Sequence, residues 1–358
     1  MTDYASKYYQ SHSKLTFIGA NGQQKLINAS VLVIGAGGLG CPCLLNLAGC
    51  GIGTIGIADF DTVSVSNLHR QLLFTVDDIG KSKTDIAKQR LLQHNPLITV
   101  NEHHLLVDES NVLSLIKQYD IVVDGTDNFA VRYLINDACV YLNKPLVYGA
   151  IYQIEGHVTV FNYQNSATLR CLFPEPSVET HVPSCAEVGA YNVVTTIIGT
   201  MMANEAVKLV LDNSEVLANK LVSYDALSAE MRTITYREDA RSREKSINRF
   251  QKESTAKDIA IEEFLTLDAD SYQLIDVRED WEHDEFNIGG VQIALAKFKR
   301  YDFSGYHSSD KLILYCLQGL RSASAAEYLR ERGFKNAVSL RGGLNAYFAE
   351  EKRVRSKD

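Results

Sequence analysis

Residues 31–40 of this 358-residue chain read VLVIGAGGLG, four apolar residues followed by a glycine-rich turn. A continuous apolar run of this kind is typical of a strand that is buried on both faces of a parallel sheet. The glycines of GxGxxG, Gly35, Gly37 and Gly40, allow a tight turn into the helix that the next residues predict. A strand, a glycine turn and a helix in this order predict a site that binds a nucleotide phosphate at the helix N-terminus.

The same alternation continues beyond this turn. Residues 54–58 predict a second strand that ends at Asp59, where a carboxylate can accept hydrogen bonds from ribose hydroxyls. Further strand candidates, with helical segments between several of them, are residues 121–123, 145–147 and 157–161. The pattern predicts an α/β fold with a doubly wound, Rossmann-like, mostly parallel sheet. The glycine turn alone does not distinguish NAD from ATP.

Composition narrows the class of protein. The chain is too long for one ordinary core, and 46% hydrophobic with 22% charged residues argues against disorder. A net charge of -8 argues against nucleic acid and anionic membranes as partners, and we find no apolar stretch that we expect to cross a bilayer. Because the N-terminus lacks a secretory signal pattern, we expect a cytoplasmic protein. The 7 cysteines, an odd number at irregular spacing, do not predict a disulfide framework.

The texture of the sequence changes near residue 237. Residues 237–257 are charged and contain few core-forming side chains, which favours a linker over residues 241–256. We therefore predict a first domain over residues 1–240 and a small α/β domain over residues 257–358. Strand candidates in this second domain are residues 272–277, 312–315 and 337–340, with a helix from residue 322 to about residue 332.

Several motifs after the glycine turn occur in one order. Asp59 and Asp61 precede SNLHRQ at residues 66–71, then Lys81 and Lys83, then GTDN at residues 125–128. With this order and spacing, the chain from about residue 10 to residue 236 resembles the ThiF/MoeB/HesA family of ubiquitin-activating-type enzymes. Members of that family adenylate small sulfur-carrier proteins. The resemblance implies ATP and Mg²⁺ as cofactors.

The resemblance assigns roles to individual residues. It places Asp59 at the ribose, and it gives Asp127 the magnesium ion and a catalytic role. The residues that it places around the nucleotide are Gly35, Gly37, Gly38, Gly40, Asp59, Asp61, Asn67, Arg70, Gln71, Lys83 and Asp127. When a carboxylate attacks an α-phosphate, cations must neutralise the charge that shifts onto pyrophosphate, and Arg70 and Lys83 can supply them. Arg70 is thus a second catalytic candidate.

A cysteine follows in the segment PSCAE at residues 183–187. This segment is similar to the family segment that carries a catalytic cysteine. A cysteine suits that role because a thiolate is a strong nucleophile at neutral pH. Cys185 is therefore predicted to attack the activated carrier or to join the sulfur transfer. An inert thiol on a crossover loop is the alternative.

Two departures from the family pattern concern metal and partner contacts. Many relatives hold a structural zinc with two CxxC pairs. Here Thr168 occupies the first cysteine position of the pair that ends at Cys171, and no second pair follows residues 225–228. One thiol does not build a tetrahedral sulfur site, so we expect no structural zinc. Relatives also place near the N-terminus an arginine that reaches the partner subunit's ATP, where this chain has Ser11.

The second domain contains LYCLQGLRS at residues 314–322, a strand, a short loop and a helix. A loop with Cys316, Gly319, Arg321 and Ser322 can direct its N–H groups at one anion and stabilise a thiolate or persulfide. Residues 257–350 resemble rhodaneses, which are sulfurtransferases. Cysteine phosphatases use a similar loop with one more residue between cysteine and arginine, so the four residues here favour sulfur. Leu317 replaces an arginine that is common in relatives.

Together the domains predict one pathway. The first would adenylate the C-terminal Gly-Gly carboxylate of a small ubiquitin-like sulfur carrier, and a persulfide on Cys316 would convert it to a thiocarboxylate, as in molybdopterin or thiamine biosynthesis. The resemblance also implies a homodimer, and the persulfide chemistry an upstream donor such as a cysteine desulfurase. The alternatives are an NAD oxidoreductase, a non-catalytic or weakly catalytic carrier-binding scaffold, and adenylation of another substrate such as tRNA.

Overall fold

The apolar run ahead of the glycine turn forms strand β1, whose last four residues are buried. The computed structural model describes residues 3–174, 189–251, 258–298, 300–317 and 319–355. The chain divides into two units, residues 1–247 and residues 248–358. The strands of the first unit are β1 (Ser30–Ile34), β2 (Thr54–Ala58), β3 (Thr99–His103), β4 (Ile121–Asp124), β5 (Leu146–Tyr152), β6 (Glu155–Phe161), β7 (Lys220–Asp225) and β8 (Met231–Thr235).

Helices alternate with these strands. They are α1 (Asp3–Tyr8), α2 (Gln10–Ser13), α3 (Gly19–Asn28), α4 (Gly40–Cys50), α5 (Lys83–His94), α6 (Val112–Ile116), α7 (Phe129–Tyr141), α8 (Leu169–Leu172), α9 (Asn192–Val210) and α10 (Ala240–Gln251). Short 3₁₀ turns cover Val65–Asn67 and Val76–Asp78.

The eight strands form one sheet in the order β3-β2-β1-β4-β5-β6-β7-β8. The first five are parallel, and β6, β7 and β8 continue the sheet in antiparallel fashion. The chain leaves β1 towards β2 and later returns to the other side of β1 with β4, so the winding direction reverses there. Ligands of doubly wound sheets bind at the carboxyl ends of strands beside such a reversal. The predicted fold class is confirmed.

Helix α9 corrects the expectation that no stretch could cross a bilayer. It has 19 residues and a mean hydropathy of 1.3, enough for a span by length and composition. It packs against α4, β5 and β6, and more than half of it is buried. At Gly199 the approach of α4 is so close that a Cβ atom would lie 2.3 Å from the Leu39 carbonyl oxygen. Helix α9 is apolar because it is a core helix of the first unit.

Helix α10 corrects the prediction of a linker over residues 241–256 in its first part. Its Ser246 is fully buried, and the Ser246 hydroxyl donates a 2.7 Å hydrogen bond to Oδ1 of Asp137 in α7. Arg170 of α8 binds the same carboxylate through two nitrogens, at 2.8 and 2.6 Å. This stretch has few apolar side chains, and hydroxyl groups that hydrogen-bond to a buried ion pair help to hold the helix. The boundary between the units, after Ile247, falls inside the predicted linker.

The second unit is a five-stranded parallel sheet in the order β11-β10-β12-β13-β9. Its strands are β9 (Asp258–Ile259), β10 (Gln273–Asp276), β11 (Val291–Gln292), β12 (Leu312–Tyr315) and β13 (Ala337–Leu340). Its helices are α11 (Ile261–Phe264), α12 (Asp280–Glu285), α13 (Leu295–Phe298), α14 (Leu320–Glu331) and α15 (Gly343–Arg355), with a 3₁₀ turn at Ala269–Ser271. The central strand β12 is entirely buried and leads directly into Cys316.

Candidate active sites

The glycine turn lies at the carboxyl ends of β1, β2 and β4. Gly35 has φ +95°, and a Cβ atom on it would lie 2.9 Å from the Gly125 carbonyl oxygen. At Gly40 a Cβ atom would lie 1.9 Å from the Gly35 carbonyl oxygen, so only glycine fits. At Gly37, by contrast, the nearest atom would be the Gln71 amide nitrogen at 3.8 Å. The turn is packed tightly where it meets protein and open at Gly37, which suits a phosphate cradle.

Asp59 joins the turn to the loop after β2. One of its carboxylate oxygens accepts a hydrogen bond from the Ala36 N–H and the other from the Asp61 N–H, both at 2.8 Å. Each oxygen keeps capacity for a further hydrogen bond. Two backbone groups thus orient the half-buried carboxylate at the strand end, where the sequence predicts contact with ribose.

Lys83 is the first residue of α5, and it is buried although it is charged. Its ammonium nitrogen lies 2.8 Å from the Asp61 carboxylate, which is about half exposed. A buried lysine needs a negative partner, and a triphosphate could supply one as well as Asp61 does. The structure therefore brings Asp59, Asp61 and Lys83 together at one edge of the sheet.

The run at residues 66–71 supplies a second cation. The Arg70 and Gln71 N–H groups both donate to the Asn67 carbonyl oxygen, at 3.1 and 3.0 Å. The Arg70 guanidinium donates to the Ser66 carbonyl oxygen at 3.0 Å, and its stem would lie 3.6 Å from a Cβ atom on Gly38. Arg70 therefore lies against the glycine turn.

Gln71 carries an unsatisfied buried atom at this site. Its side chain is 4% exposed, and its Oε1 has no hydrogen-bond partner within the described part of the chain. An unpaired buried acceptor is costly, and a bound ligand or water that donates a hydrogen bond would satisfy it. A nucleoside triphosphate fits this site, since it would meet the unpaired Gln71 oxygen, the open side of Gly37 and the cations Lys83 and Arg70.

The loop after β4 presents Asp127 to solvent. Beneath it, Asp124 is fully buried and accepts hydrogen bonds from the Thr126 N–H at 2.9 Å and from its hydroxyl at 2.7 Å. Arg132 donates to the Thr126 carbonyl oxygen at 3.1 Å, so the loop is held from both sides. Burial raises the pKa of Asp124. The exposed carboxylate of Asp127 fits Mg²⁺, which prefers oxygen ligands and completes its shell with waters and substrate phosphates.

Cys185 lies outside the described residues, so its predicted role stays a prediction. Cys41, Cys43 and Cys139 are fully buried. Burial raises the pKa of each of these thiols, to about 12 for Cys41, which makes them poor nucleophiles.

Cys171 has protein partners where relatives hold zinc. Its sulfur accepts hydrogen bonds from the Thr168 N–H and from the Asp239 N–H, both at 3.3 Å. Among the described residues, no group of three or more His, Cys, Asp or Glu side chains is placed to hold a metal ion. The expectation of no structural zinc stays a prediction.

The loop after β12 folds around Cys316. The thiol is fully buried, its sulfur accepts a hydrogen bond from the Gly319 N–H at 3.1 Å, and the Ser322 hydroxyl lies 3.6 Å away. Gly319 needs its positive φ of 92°, and a Cβ atom on Gly343 would lie 2.3 Å from the Cys316 carbonyl oxygen. The two glycines let the loop close tightly around the sulfur.

Arg321 is engaged by a residue that sequence reasoning did not assign to the site. Its two terminal nitrogens lie 2.6 and 2.7 Å from the two carboxylate oxygens of Glu282 in α12. Below the loop, Arg278 and Asp276 form a second buried pair at 2.6 Å. No sequence pattern could have paired Glu282 with a residue 39 positions away.

Comparisons with known families find two separate domains in this chain. Residues 9–245 match the ThiF family, and residues 262–350 match the rhodanese-like domain. The second match favours the sulfurtransferase interpretation of the cysteine loop over the phosphatase alternative.

Two relatives of known name match this chain, one over nearly its whole length and one over about two thirds of it. The chain is 39% identical to a "Probable adenylyltransferase/sulfurtransferase MoeZ" of Mycobacterium tuberculosis, covering 95% of this chain and 92% of the relative. It is 45% identical to a "Sulfur carrier protein adenylyltransferase" of Thermus thermophilus, covering 65% of this chain and 88% of the relative.

A solved structure provides a third likeness. The E. coli MccB crystallised with AMPCPP and MccA is 26% identical, with a TM-score of 0.56, over 65% of this chain and 70% of that one. The names of these relatives agree with the predicted adenylyltransferase and sulfurtransferase enzyme and with its use of ATP, and none is an NAD oxidoreductase. The chain therefore belongs to the ThiF family and carries a rhodanese-like domain after its ThiF domain.

Proposed function

We propose that this protein uses Mg-ATP to adenylate the C-terminal Gly-Gly carboxylate of a small sulfur-carrier protein and then converts it to a thiocarboxylate. The observation that carries the proposal is the presence, in one chain, of a cation-lined glycine turn at a sheet reversal and of a buried cysteine in a closed amide loop. The relatives named for adenylyl transfer, sulfur transfer and sulfur carriers support it.

In the adenylation step, a carrier carboxylate oxygen bonds to the α-phosphorus and the bond to pyrophosphate breaks. The glycine turn would hold the phosphates, while Lys83 and Arg70 offset the negative charge that grows on the leaving group. Asp59 would orient the ribose. Asp127 would hold Mg²⁺, which supplies further neutralisation of phosphate charge when bound.

In the sulfur step, the terminal sulfur of a Cys316 persulfide attacks the acyl carbon and AMP leaves. The product is an acyl disulfide, and a second thiol must attack the Cys316 sulfur to release the thiocarboxylate. Cys185 is a candidate for that thiol, and an external thiol is the alternative. A further thiol must then reduce the disulfide that this step leaves on Cys316. After that, an upstream persulfide donor, such as a cysteine desulfurase, reloads the free Cys316 thiolate. The family resemblance supports a homodimer, and a cytoplasmic location stays an expectation.

The test is ATP–pyrophosphate exchange with purified protein and a panel of Gly-Gly-ended carriers. We expect exchange that requires one carrier, stops when a chelator removes Mg²⁺ and returns when Mg²⁺ is added. The Asp127→Ala variant should lose exchange. The matched control is Asp212→Ala, because that carboxylate is 71% exposed in a surface pair with Lys25.

Exchange that persists in Asp127→Ala would contradict the role of Asp127. No exchange with any carrier, but intact carrier binding, would favour the scaffold alternative and make Ser11 the first position to restore to arginine. Exchange that requires tRNA would favour the alternative substrate.

A further inference from the structure

The guanidinium of Arg321 and the carboxylate of Glu282 form a closed pair beside the cysteine loop. Both hydrogen bonds are short, 2.6 and 2.7 Å, and the two side chains are only 12% and 13% exposed. The Glu279 N–H donates a further hydrogen bond to Glu282 at 3.0 Å, which fixes the carboxylate at the start of α12. This parallel, two-bond geometry is the strongest arrangement for an arginine and a carboxylate.

We propose that Glu282 determines which sulfur donor the cysteine loop accepts. By neutralising Arg321, it disfavours thiosulfate, a compact dianion, and favours a persulfide, which carries at most one negative charge at the reacting group. The inference rests on the proposed sulfur transfer by Cys316 and adds a donor class and a residue that sets it.

The surroundings of the loop point in the same direction. The buried Arg278 is paired with Asp276, whose carboxylate also lies 2.9 Å from the His283 ring. Leu317, directly after the cysteine, is 37% exposed and uncharged. Arg341 beyond β13 is exposed, so solvent screens its charge. The two other arginines named here each form an ion pair with a carboxylate, Arg278 with Asp276 and Arg321 with Glu282.

The two donors differ in the charge that they bring to the loop and in the leaving group that they release. With a persulfide, the Cys316 thiolate bonds to the terminal sulfur, the S–S bond of the donor breaks and a thiolate leaves. With thiosulfate, the same thiolate bonds to the outer sulfur and sulfite leaves with both negative charges. Both reactions give the same Cys316 persulfide, so a loop that only needed a reactive thiolate would not choose between them.

The experiment measures persulfide formation on Cys316 by mass spectrometry, with thiosulfate or cysteine persulfide as donor. The Glu282→Gln variant keeps the shape of the side chain and frees the charge of Arg321. We expect its preference for thiosulfate, as a ratio of the two kcat/KM values, to rise on the order of tenfold, mainly through a lower KM for thiosulfate. The double variant Glu282→Gln with Arg321→Gln is neutral again, and its ratio should return to the wild-type value.

The matched control is Glu285→Gln, which removes the same charge from an exposed position of the same helix and should leave the ratio unchanged. A purely structural role of Glu282 would lower both rates together. A ratio in Glu282→Gln within twofold of the wild type would overturn the proposal. If that variant does not fold, the wild type still decides, because a kcat/KM for thiosulfate that falls steeply with salt would reveal an uncompensated cation and refute it.

Failure of the proposed function gives a different result. In that case wild-type Cys316 would form no persulfide from either donor. Loading of Cys316 with an unchanged donor ratio would refute only the role of Glu282.

Discussion

The glycine turn of the first unit and the cysteine loop of the second use the same backbone device but match charge in opposite ways. At the turn, Lys83 is paired with a half-exposed Asp61, and Asp127 faces solvent. At the loop, Arg321 forms a largely buried ion pair with Glu282, and the Cys316 thiol is fully buried. A site for a triphosphate must leave cations that the ligand can engage. A site that handles one sulfur atom gains from being neutral and closed.

The largest effect that we expect is the loss of sulfur transfer when Cys316 is replaced. Replacing Cys316 with Ala removes the only described sulfur in the loop, so sulfur transfer to an acyl-adenylate should fall below detection. ATP–pyrophosphate exchange should stay near the wild-type rate, because the glycine turn has its own cations. Thiocarboxylate formation, measured by mass spectrometry of the carrier, checks the first expectation. A simultaneous loss of exchange would show that the two regions are not chemically separate.

The next largest effect is on stability. Asp137→Asn breaks a buried ion pair with Arg170 and weakens the hydrogen bond that holds Ser246 of α10. Breaking such a buried pair typically costs about 3–5 kcal/mol of unfolding free energy. Denaturant unfolding measures the change. The control Glu230→Gln removes an exposed partner of Arg232 and should have no measurable effect. Equal effects of the two variants would mean that α10 does not depend on the buried pair.

A smaller effect is expected at the glycine turn. Lys83→Met removes the buried cation and should slow ATP–pyrophosphate exchange by about 10²-fold, since a preorganised charge contributes roughly this much. Lys81→Met is the matched control, because Lys81 lies two positions earlier and its side chain is 56% exposed. If both variants lose exchange equally, the buried position of Lys83 has no special role.

The smallest effect is the dependence of stability on pH. Burial alone would raise the pKa of Asp276, but hydrogen bonds from Arg278 and His283 outweigh it and hold the pKa below its ordinary value. Stability from Asp276 is therefore present above the unfolded pKa of about 4 and is lost as the pH falls through the folded value. Asp124 has a raised pKa, so its protonation favours the folded state as the pH falls.

Hydrogen exchange at several pH values separates these contributions. Strand β10 should lose protection in acid before β4 does. The reverse order would contradict a lowered pKa for Asp276 together with a raised pKa for Asp124.

The central strands and both loops were predictable from the sequence. The predicted bounds of β2, β12 and β13 are those observed, because strands inside a parallel sheet are largely buried and are therefore rich in apolar residues. The glycine turn and the cysteine loop were predictable because their backbones require glycine at fixed positions. The strands missed include the edge strands β3 and β8, and β8 is exposed along its whole length, so neither has a buried pattern to detect.

Only the tertiary structure decided how the charges are matched. The pair Lys83–Asp61 joins residues 22 positions apart, and the pair Arg321–Glu282 joins residues 39 positions apart. Likewise, Ser246 reaches Asp137 across 109 positions and turns a stretch that reads as a linker into a docked helix. Sequence periodicity reports which face of an element is buried, but the partner of a buried charge depends on the path of the whole chain.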